Sequence, residues 1–190
     1  PAAAESADPD NRLLWRMPTR RLDAEQIRDA MLCVSGECDL TMGGKGVEGI
    51  VPRRSVYLRF MRNTPDPFLD VFDFPDGFNS AARRKVTTTA TQALMMMNDE
   101  WTIKRGQALA RRIESEGHGS PESKIDRAYQ LAFGRVPAAD ESREASSYLE
   151  RSSARMVREA KNVSLETADH RALSDLCHAL MNSNEFLYVD

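Results

Sequence analysis

Long apolar runs, cysteine and histidine are all scarce in this chain of 190 residues, which has three Cys and three His. No uninterrupted apolar stretch approaches the ~18–20 residues that a bilayer-spanning helix needs, so the sequence predicts no transmembrane segment. The few cysteines, odd in number, exclude a disulfide-dense scaffold. A formal net charge of −3 gives no electrostatic reason to expect nucleic acid as a partner. What remains, with 41% hydrophobic and 29% charged residues, is typical of a folded globular chain.

Sequence motifs that carry chemistry are missing as well. The chain has no C-x-x-C-H for haem attachment, no G-x-S-x-G nucleophile motif and no H-E-x-x-H zinc motif. Asp73, Asp76 and Asn79 offer oxygen atoms suited to Ca²⁺, but their spacing differs from an EF-hand loop and acid-rich turns are common. We therefore predict no catalytic residue, no metal site and no cofactor in this chain, which favours a protein that is not an enzyme.

Most of the chain has the period of amphipathic helices. Asp23 and Gln26 form a capping-box pattern ahead of a helix over Ala24–Ser35, and Gly36 follows at the position of a left-handed C-cap. Ser120–Pro121 is the typical start of another helix. Further helices are predicted over Asn11–Arg16, Ala90–Met97, Asp99–Glu116, Ala139–Lys161 and Glu166–Met181. The predicted fold class is mainly α, a multi-helix domain with at most a short β-strand or hairpin.

The stretch from 37 to 88 departs from this pattern. Its glycines and prolines are dense enough to mark loops, and only Ser55–Met61 alternates in the manner of a short strand. Several Phe and aliphatic residues within it favour wrapping of the segment onto the helices. We thus expect a single helical domain over 11–190 with a loop-rich insertion at 37–88, preceded by a linker or boundary segment at 1–10.

Charged side chains concentrate in the second half of this insertion, where seven basic residues accompany four aspartates over 53–85. Guanidinium groups bind carboxylate, sulfate and phosphate in bidentate fashion, so the cluster could line a pocket for an anion. The same side chains could instead pair with the aspartates and with loop carbonyls, tying the segment to the helices. The candidate ligand-binding residues are Arg53, Arg54, Arg83, Arg84, Asp73 and Asp76.

The cysteines leave one question open. Cys33 and Cys38 are close enough in sequence to close a small loop in an oxidising compartment, but two unpaired thiols at the end of a helix are the simpler interpretation. Cys177 lies on the apolar face of its predicted helix and is expected to be a small buried side chain.

Six blocks of sequence follow one another in the order of a known family. They are NRLLWRMPTRRLDAEQIRDAMLCVSGECD, RRSVYLRFMR, FDFPD, ARRKVTTTATQALMMMND, AYQLAFGRVPAADE and ALSDLCHALMNSNEFLYVD. Over Asn11 to Asp190 the chain resembles the C-terminal part of a planctomycete-type domain of unknown function found in cytochrome-c-like multidomain proteins. The family pattern has Pro at the position of Thr91 and a helix-capping Thr at that of Ala138.

The resemblance implies a secreted or periplasmic setting, with haem expected only on a separate module of longer relatives. It implies other domains of the same polypeptide or a partner protein as partners, and an upstream half of the domain outside this chain. It implies no reaction and no functional residue. Two functions therefore remain, a non-catalytic structural or docking module, and an anion- or saccharide-binding domain, enzymatic or not, that uses the Arg/Asp cluster of 53–85.

Overall fold

Helices make up most of this protein, and a computed structural model describes residues 2–78, 82–160 and 163–189. In chain order the helices are α1 (Ala2–Ala7), α2 (Ala24–Ser35), α3 (Pro67–Val71), α4 (Ala90–Asn98), α5 (Glu100–Ser115), α6 (Pro121–Phe133), α7 (Ala139–Glu159), α8 (Leu165–Met181) and α9 (Asn184–Leu187). The strands β1 (Arg20–Arg21) and β2 (Tyr188–Val189) pair antiparallel, and residues Ser55–Tyr57 form a 3-10 turn. The fold is mainly α, as predicted.

The core lies where α5 packs along α8, with α2 and α4 also against α5 and with α7 against α8. Ile27 and Met31 of α2 and Leu109 and Ile113 of α5 are fully buried, and Leu173 of α8 is only 2% exposed. Each such side chain contributes roughly 1.5–3 kcal/mol through removal of apolar surface from water. The apolar faces seen as a period in the sequence are therefore the faces that meet in the core.

Helix ends follow the capping signals in the sequence. At the start of α2 the Asp23 N–H donates to Gln26 Oε1 at 2.9 Å, and α2 ends at Gly36 with a φ of +77°. Helix α5 begins at Glu100, one residue later than predicted, because its N-cap is Asp99 and not Asn98. The Trp101 N–H donates to Asp99 Oδ2 at 2.9 Å. Caps of this kind act over three or four residues, which is why the sequence indicates them so well.

The N-terminal segment differs from its prediction. The helix predicted over Asn11–Arg16 is wrong, and turns are found there instead, because Asn11 and Leu14 both have a φ of +54° that a right-handed helix does not contain. The Asp8 carboxylate accepts the N–H groups of the two residues after Asn11 at 2.9 and 2.7 Å and so stabilises this turn. Upstream, the described part of the predicted linker 1–10 contains helix α1.

The strand predicted over Ser55–Met61 is also wrong. Its first three residues form a 3-10 turn, because the Asp29 carboxylate of α2 accepts both the N–H and the hydroxyl of Ser55 at 2.7 Å. Further on, the Arg59 N–H donates to the Val47 carbonyl at 2.8 Å, an isolated bridge and not a ladder. Alternation alone does not make a strand when no neighbouring strand supplies the hydrogen bonds.

Apolar anchors hold the loop-rich segment on the helices, as its sequence indicated. Phe68 and Leu69 of α3 are buried, as is Phe72 at its C-cap. The Phe68 ring lies 5.1 Å from the ring of Trp101 in α5. Phe78 is an exception among the predicted anchors, because it is 63% exposed. The segment is thus fixed at α3, and the partly buried Leu58 and Phe74 attach it to the core at two further points.

Candidate functional site

Arg53, the first predicted site residue, points inward and fastens a loop. Its Nη2 atom donates to the carbonyl oxygens of Thr41 at 2.7 Å and Gly43 at 2.5 Å, and its guanidinium lies 4.2 Å from the centre of the Tyr57 ring. The residue is only 8% exposed. Its Nη donors therefore hold the glycine-rich turns of the segment, as expected if the arginines tie this segment to the helices, whereas its Nε is buried 3.8 Å from Asp39 Oδ2 without a hydrogen bond.

A second buried arginine, Arg28 of α2, holds the next part of the segment and was missed from the sequence. It is 1% exposed and donates to the carbonyl oxygens of Arg53 at 2.7 Å, Gly49 at 2.7 Å and Val51 at 2.8 Å. Burial lowers the pKa of its guanidinium from the ordinary value, although nearby Asp29 opposes the effect. The only sequence signal was its position next to the apolar face of α2, since local patterns do not show which carbonyls a guanidinium will meet.

Asp73, another predicted site residue, belongs to an internal network. The Arg21 Nη2 atom lies 2.7 Å from Asp73 Oδ2, and Thr87 donates to the same carboxylate through its N–H at 2.9 Å and its hydroxyl at 2.7 Å. Arg21 Nη1 also donates to Gln92 Oε1 at 2.9 Å and to the Thr87 carbonyl. Burial raises the pKa of Asp73, but hydrogen bonding to Thr87 and Arg21 together lowers it by more. The pKa of Asp73 therefore lies below its ordinary value. The network joins β1 to α4 through the loop-rich segment.

Replacing Asp73 with Asn is expected to lower the free energy of unfolding by about 2–3 kcal/mol at neutral pH, because Arg21 keeps its burial and loses its charged partner. Asn tolerates the φ of +65° found at this position, so backbone strain does not contribute. Since folding lowers the pKa, the stabilisation is complete above the unfolded value of about 4 and is lost as the pH falls through the folded value. Denaturant unfolding between neutral pH and strong acid should show the two proteins converging in acid.

Asp70 offers the matched control, because it lies three residues away and is exposed. Asp70→Asn should follow the wild-type stability curve within about 0.5 kcal/mol. A stability gap between wild type and Asp73→Asn that stays constant down to strong acid would show that the carboxylate charge is not what stabilises the network.

Two further predicted residues, Arg84 and Arg54, contact α2 from the loop-rich segment. Arg84 donates to both carboxylate oxygens of Glu25, at 2.6 and 2.7 Å, and lies 5.6 Å from the centre of the Phe74 ring. Burial raises the pKa of Glu25, but hydrogen bonding to Arg84 contributes to a net lowering. Arg54 is half exposed, with Nε 3.8 Å from Asp29 Oδ2. These two arginines flank the same face of α2.

The last two predicted residues, Arg83 and Asp76, are exposed. Asp76 Oδ1 accepts the N–H of Phe78 at 3.0 Å in a local turn. Asn79, weighed with them as a Ca²⁺ ligand, lies outside the described residues, and Asp73 has its oxygens occupied by Arg21 and Thr87. The six predicted residues therefore do not converge on one anion pocket.

A cleft of about 810 Å³ separates α2 from the loop-rich segment. One wall is the α2 face from Glu25 to Cys33, and the other is formed by residues of the loop-rich segment from Gly49 to Phe74. Its apolar lining consists of Ala30, Val56, Leu58, Phe60, Met61, Leu69 and Phe74. Val56 is 71% exposed, which places an apolar side chain at the rim with no cover from the described residues.

The charges in this cleft largely neutralise one another. Three carboxylates and two guanidiniums line it, and Arg84 pairs with one of the carboxylates from beside it. Asp29 accepts from Ser55, and Asp66 accepts the N–H groups of Phe68 and Leu69 at the start of α3. Of the six predicted ligand-binding residues, Arg54 lines the cleft, and its side chain is 55% exposed. The cleft is thus suited to an apolar group of low charge more than to an anion.

Within the described ranges, no group of three His, Cys, Asp or Glu side chains is placed to hold a metal ion. None of the described helices combines the length and the apolarity that crossing a bilayer requires.

The model of a family named PSD1, described as a protein of unknown function (DUF1553), matches residues 1–149. The chain belongs to this family. Known from planctomycete cytochrome-c-like proteins, the PSD1 family is the one that the six sequence blocks indicated, although the match begins upstream of Asn11 and ends within α7. No curated protein and no solved structure matches the chain. All residues that line the cleft fall inside the matched PSD1 region.

Proposed function

We propose that this PSD1-family chain is a non-catalytic structural and docking module of a secreted or periplasmic multidomain protein. The observation that carries the proposal is the internal use of its charged side chains, because Arg21, Arg28, Arg53 and Arg84 each bind groups of the chain itself. Those contacts shape the loop-rich segment into one wall of the cleft. In this proposal the segment, held by these arginines, presents a rigid surface to another polypeptide.

The occupant proposed for the cleft is an uncharged, apolar polypeptide segment from another domain of the same protein. The charge pattern of the cleft favours an uncharged occupant, because its carboxylates are already paired with groups of the protein itself. Apolar side chains at the rim, Val56 at 71% and Met61 at 51% exposure, supply the contact surface. An apolar segment would cover these side chains without leaving a buried charge unpaired. Haem belongs in this proposal only to a separate module.

Replacing Val56 with Glu is expected to weaken binding of uncharged apolar heptapeptides by about tenfold or more, because a carboxylate at the rim has to be desolvated without a partner. The measurement is binding of the labelled protein to an array of such peptides. Val136→Glu is the matched control, since Val136 is also an exposed valine, at 60%, and lies far along the chain between α6 and α7. Neither change should shift stability by more than about 0.5 kcal/mol.

Equal binding by the Val56 and Val136 variants would contradict the proposal. So would a thermal shift on adding inorganic phosphate, sulfated saccharides or carboxylated saccharides that disappears in Arg54→Ala, because that result would favour the anion-binding alternative. To identify the source of the occupant, a photo-cross-linking side chain is placed at position 56 of the full-length protein. Cross-links within one molecule support the proposal, and cross-links to a different protein overturn the assignment to a neighbouring domain.

A further inference from the structure

The end of α2 brings two cysteines together. The Gly36 N–H donates to the Cys33 carbonyl at 3.1 Å and the Glu37 N–H to the Leu32 carbonyl at 3.0 Å, the two hydrogen bonds of a Schellman motif. The Cys38 N–H also reaches the Leu32 carbonyl, at 3.1 Å. This turn reverses the chain, and the side chains of Cys33 and Cys38 line the same surface cavity. Both are free thiols in this structure.

We propose that Cys33 and Cys38 form a reversible disulfide that joins the end of α2 to the start of the loop-rich segment. In this step a thiolate of Cys33 attacks a small-molecule disulfide such as oxidised glutathione and releases one glutathione thiol. The Cys38 sulfur then attacks the mixed disulfide, releasing the second glutathione thiol and leaving one S–S bond. Two protein thiols are oxidised, and one glutathione disulfide is reduced to two thiols.

An oxidant has access to the pair. Both cysteines line an open surface cavity of about 740 Å³ together with the exposed Arg111, whose positive charge suits a carboxylate of glutathione. Arg112 also lines the cavity, but its guanidinium already pairs with Glu116. Cys33 is the exposed member, and Cys38 is half-buried. Burial and the neighbouring Cys33 thiol raise the pKa of Cys38 to about 11, so Cys38 is mostly protonated at neutral pH and Cys33 makes the first attack.

The disulfide would act on the wall of the cleft. Directly after Cys38, the Asp39 N–H donates to the Pro52 carbonyl at 2.7 Å, and the adjacent Arg53 carbonyl accepts from Arg28. A covalent bond at Cys38 would therefore tie α2, the start of the segment and its 52–53 turn into one unit. Cys33 itself also lines the cleft described above. The thiol pair is thus placed to restrict how far this wall moves from α2.

The experiment equilibrates the purified protein with mixtures of reduced and oxidised glutathione, quenches with acid and measures the intact mass. No Lys or Arg lies between Arg28 and Lys45, so trypsin releases both cysteines in one peptide, and cleavage after Glu37 then splits the ring. The expected product lacks two hydrogens and stays joined after that cleavage until it is reduced. The equilibrium constant for forming this disulfide from glutathione disulfide should be about tenfold or more larger in the folded protein than in the guanidinium-unfolded chain. The melting temperature of the disulfide form should be about 3–6 °C higher than that of the dithiol form.

Cys33→Ser and Cys38→Ser are the matched controls, and each should carry one glutathione instead of the ring. Cys177, which is fully buried, should stay reduced in all three proteins. A glutathione adduct or a disulfide-linked dimer as the main wild-type product would overturn the proposal. So would an equilibrium constant for disulfide formation that is no larger in the folded protein than in the unfolded chain. These outcomes do not depend on the docking proposal, because no peptide or partner is present.

Discussion

Replacing Arg28 with Ala lowers the free energy of unfolding by about 3–5 kcal/mol, because a buried charged side chain that satisfies several groups is removed. The carbonyl oxygens of Gly49, Val51 and Arg53 all accept from this one guanidinium and would lose that donor together. Urea unfolding followed by tryptophan fluorescence measures the loss. Trp101, whose ring centre lies 5.7 Å from the guanidinium carbon, is close enough to respond to a local change as well.

Two variants separate the hydrogen bonds from the packing of the Arg28 stem. Arg28→Met keeps an apolar side chain without donors and should lose nearly as much stability as Arg28→Ala. Arg111→Ala, a change at an exposed arginine of α5, should stay within about 0.5 kcal/mol of wild type. A cost of less than about 1 kcal/mol for Arg28→Met would show that hydrophobic contact, and not carbonyl binding, is what Arg28 contributes.

A second large effect is expected at Gly106, where α5 lies close against His178 of α8. A Cβ atom at this position would lie 2.7 Å from the Cβ and 3.0 Å from the backbone N of His178, so α8 itself would have to move. Gly106→Ala should therefore destabilise the protein by about 1–3 kcal/mol, and Gly106→Val by more. This outcome opposes helix propensity, which favours Ala over Gly by about 1 kcal/mol in a helix interior. Thermal and urea unfolding measure the difference.

Gly119 provides the control for this substitution. A Cβ atom there would meet nothing within 4 Å, and its backbone is not in the left-handed region, so Gly119→Ala should be neutral or slightly stabilising. The imidazole of His178 reports the same displacement independently, because its Nε2 atom donates to the Met96 carbonyl at 2.8 Å. A shift of α8 would disturb that hydrogen bond. Unchanged stability in Gly106→Val would mean that the helices do not approach this closely in solution.

At the candidate site, the charged cluster could be predicted from the sequence, but the cleft could not. The charged cluster over 53–85 was found, and so was the alternative in which its arginines tie the segment to the helices. The cleft was not found, because one of its walls, five of its sixteen lining residues, comes from α2, which lies outside the charged cluster in sequence. Arg28 and Arg21 were missed for the same reason, since neither belongs to the cluster in sequence although each contacts the segment in space.

Local patterns alone determined the mainly α class, the course of α2 from Ala24 to Ser35 and the start of α6 at Pro121. Helix caps and apolar periods involve residues three or four apart, so their partners are already adjacent in the sequence. Only the tertiary structure decided which groups the arginines bind, because every backbone carbonyl is an equivalent acceptor and the partners are distant. Arg21 and Asp73 are 52 residues apart, and Arg84 and Glu25 are 59 apart.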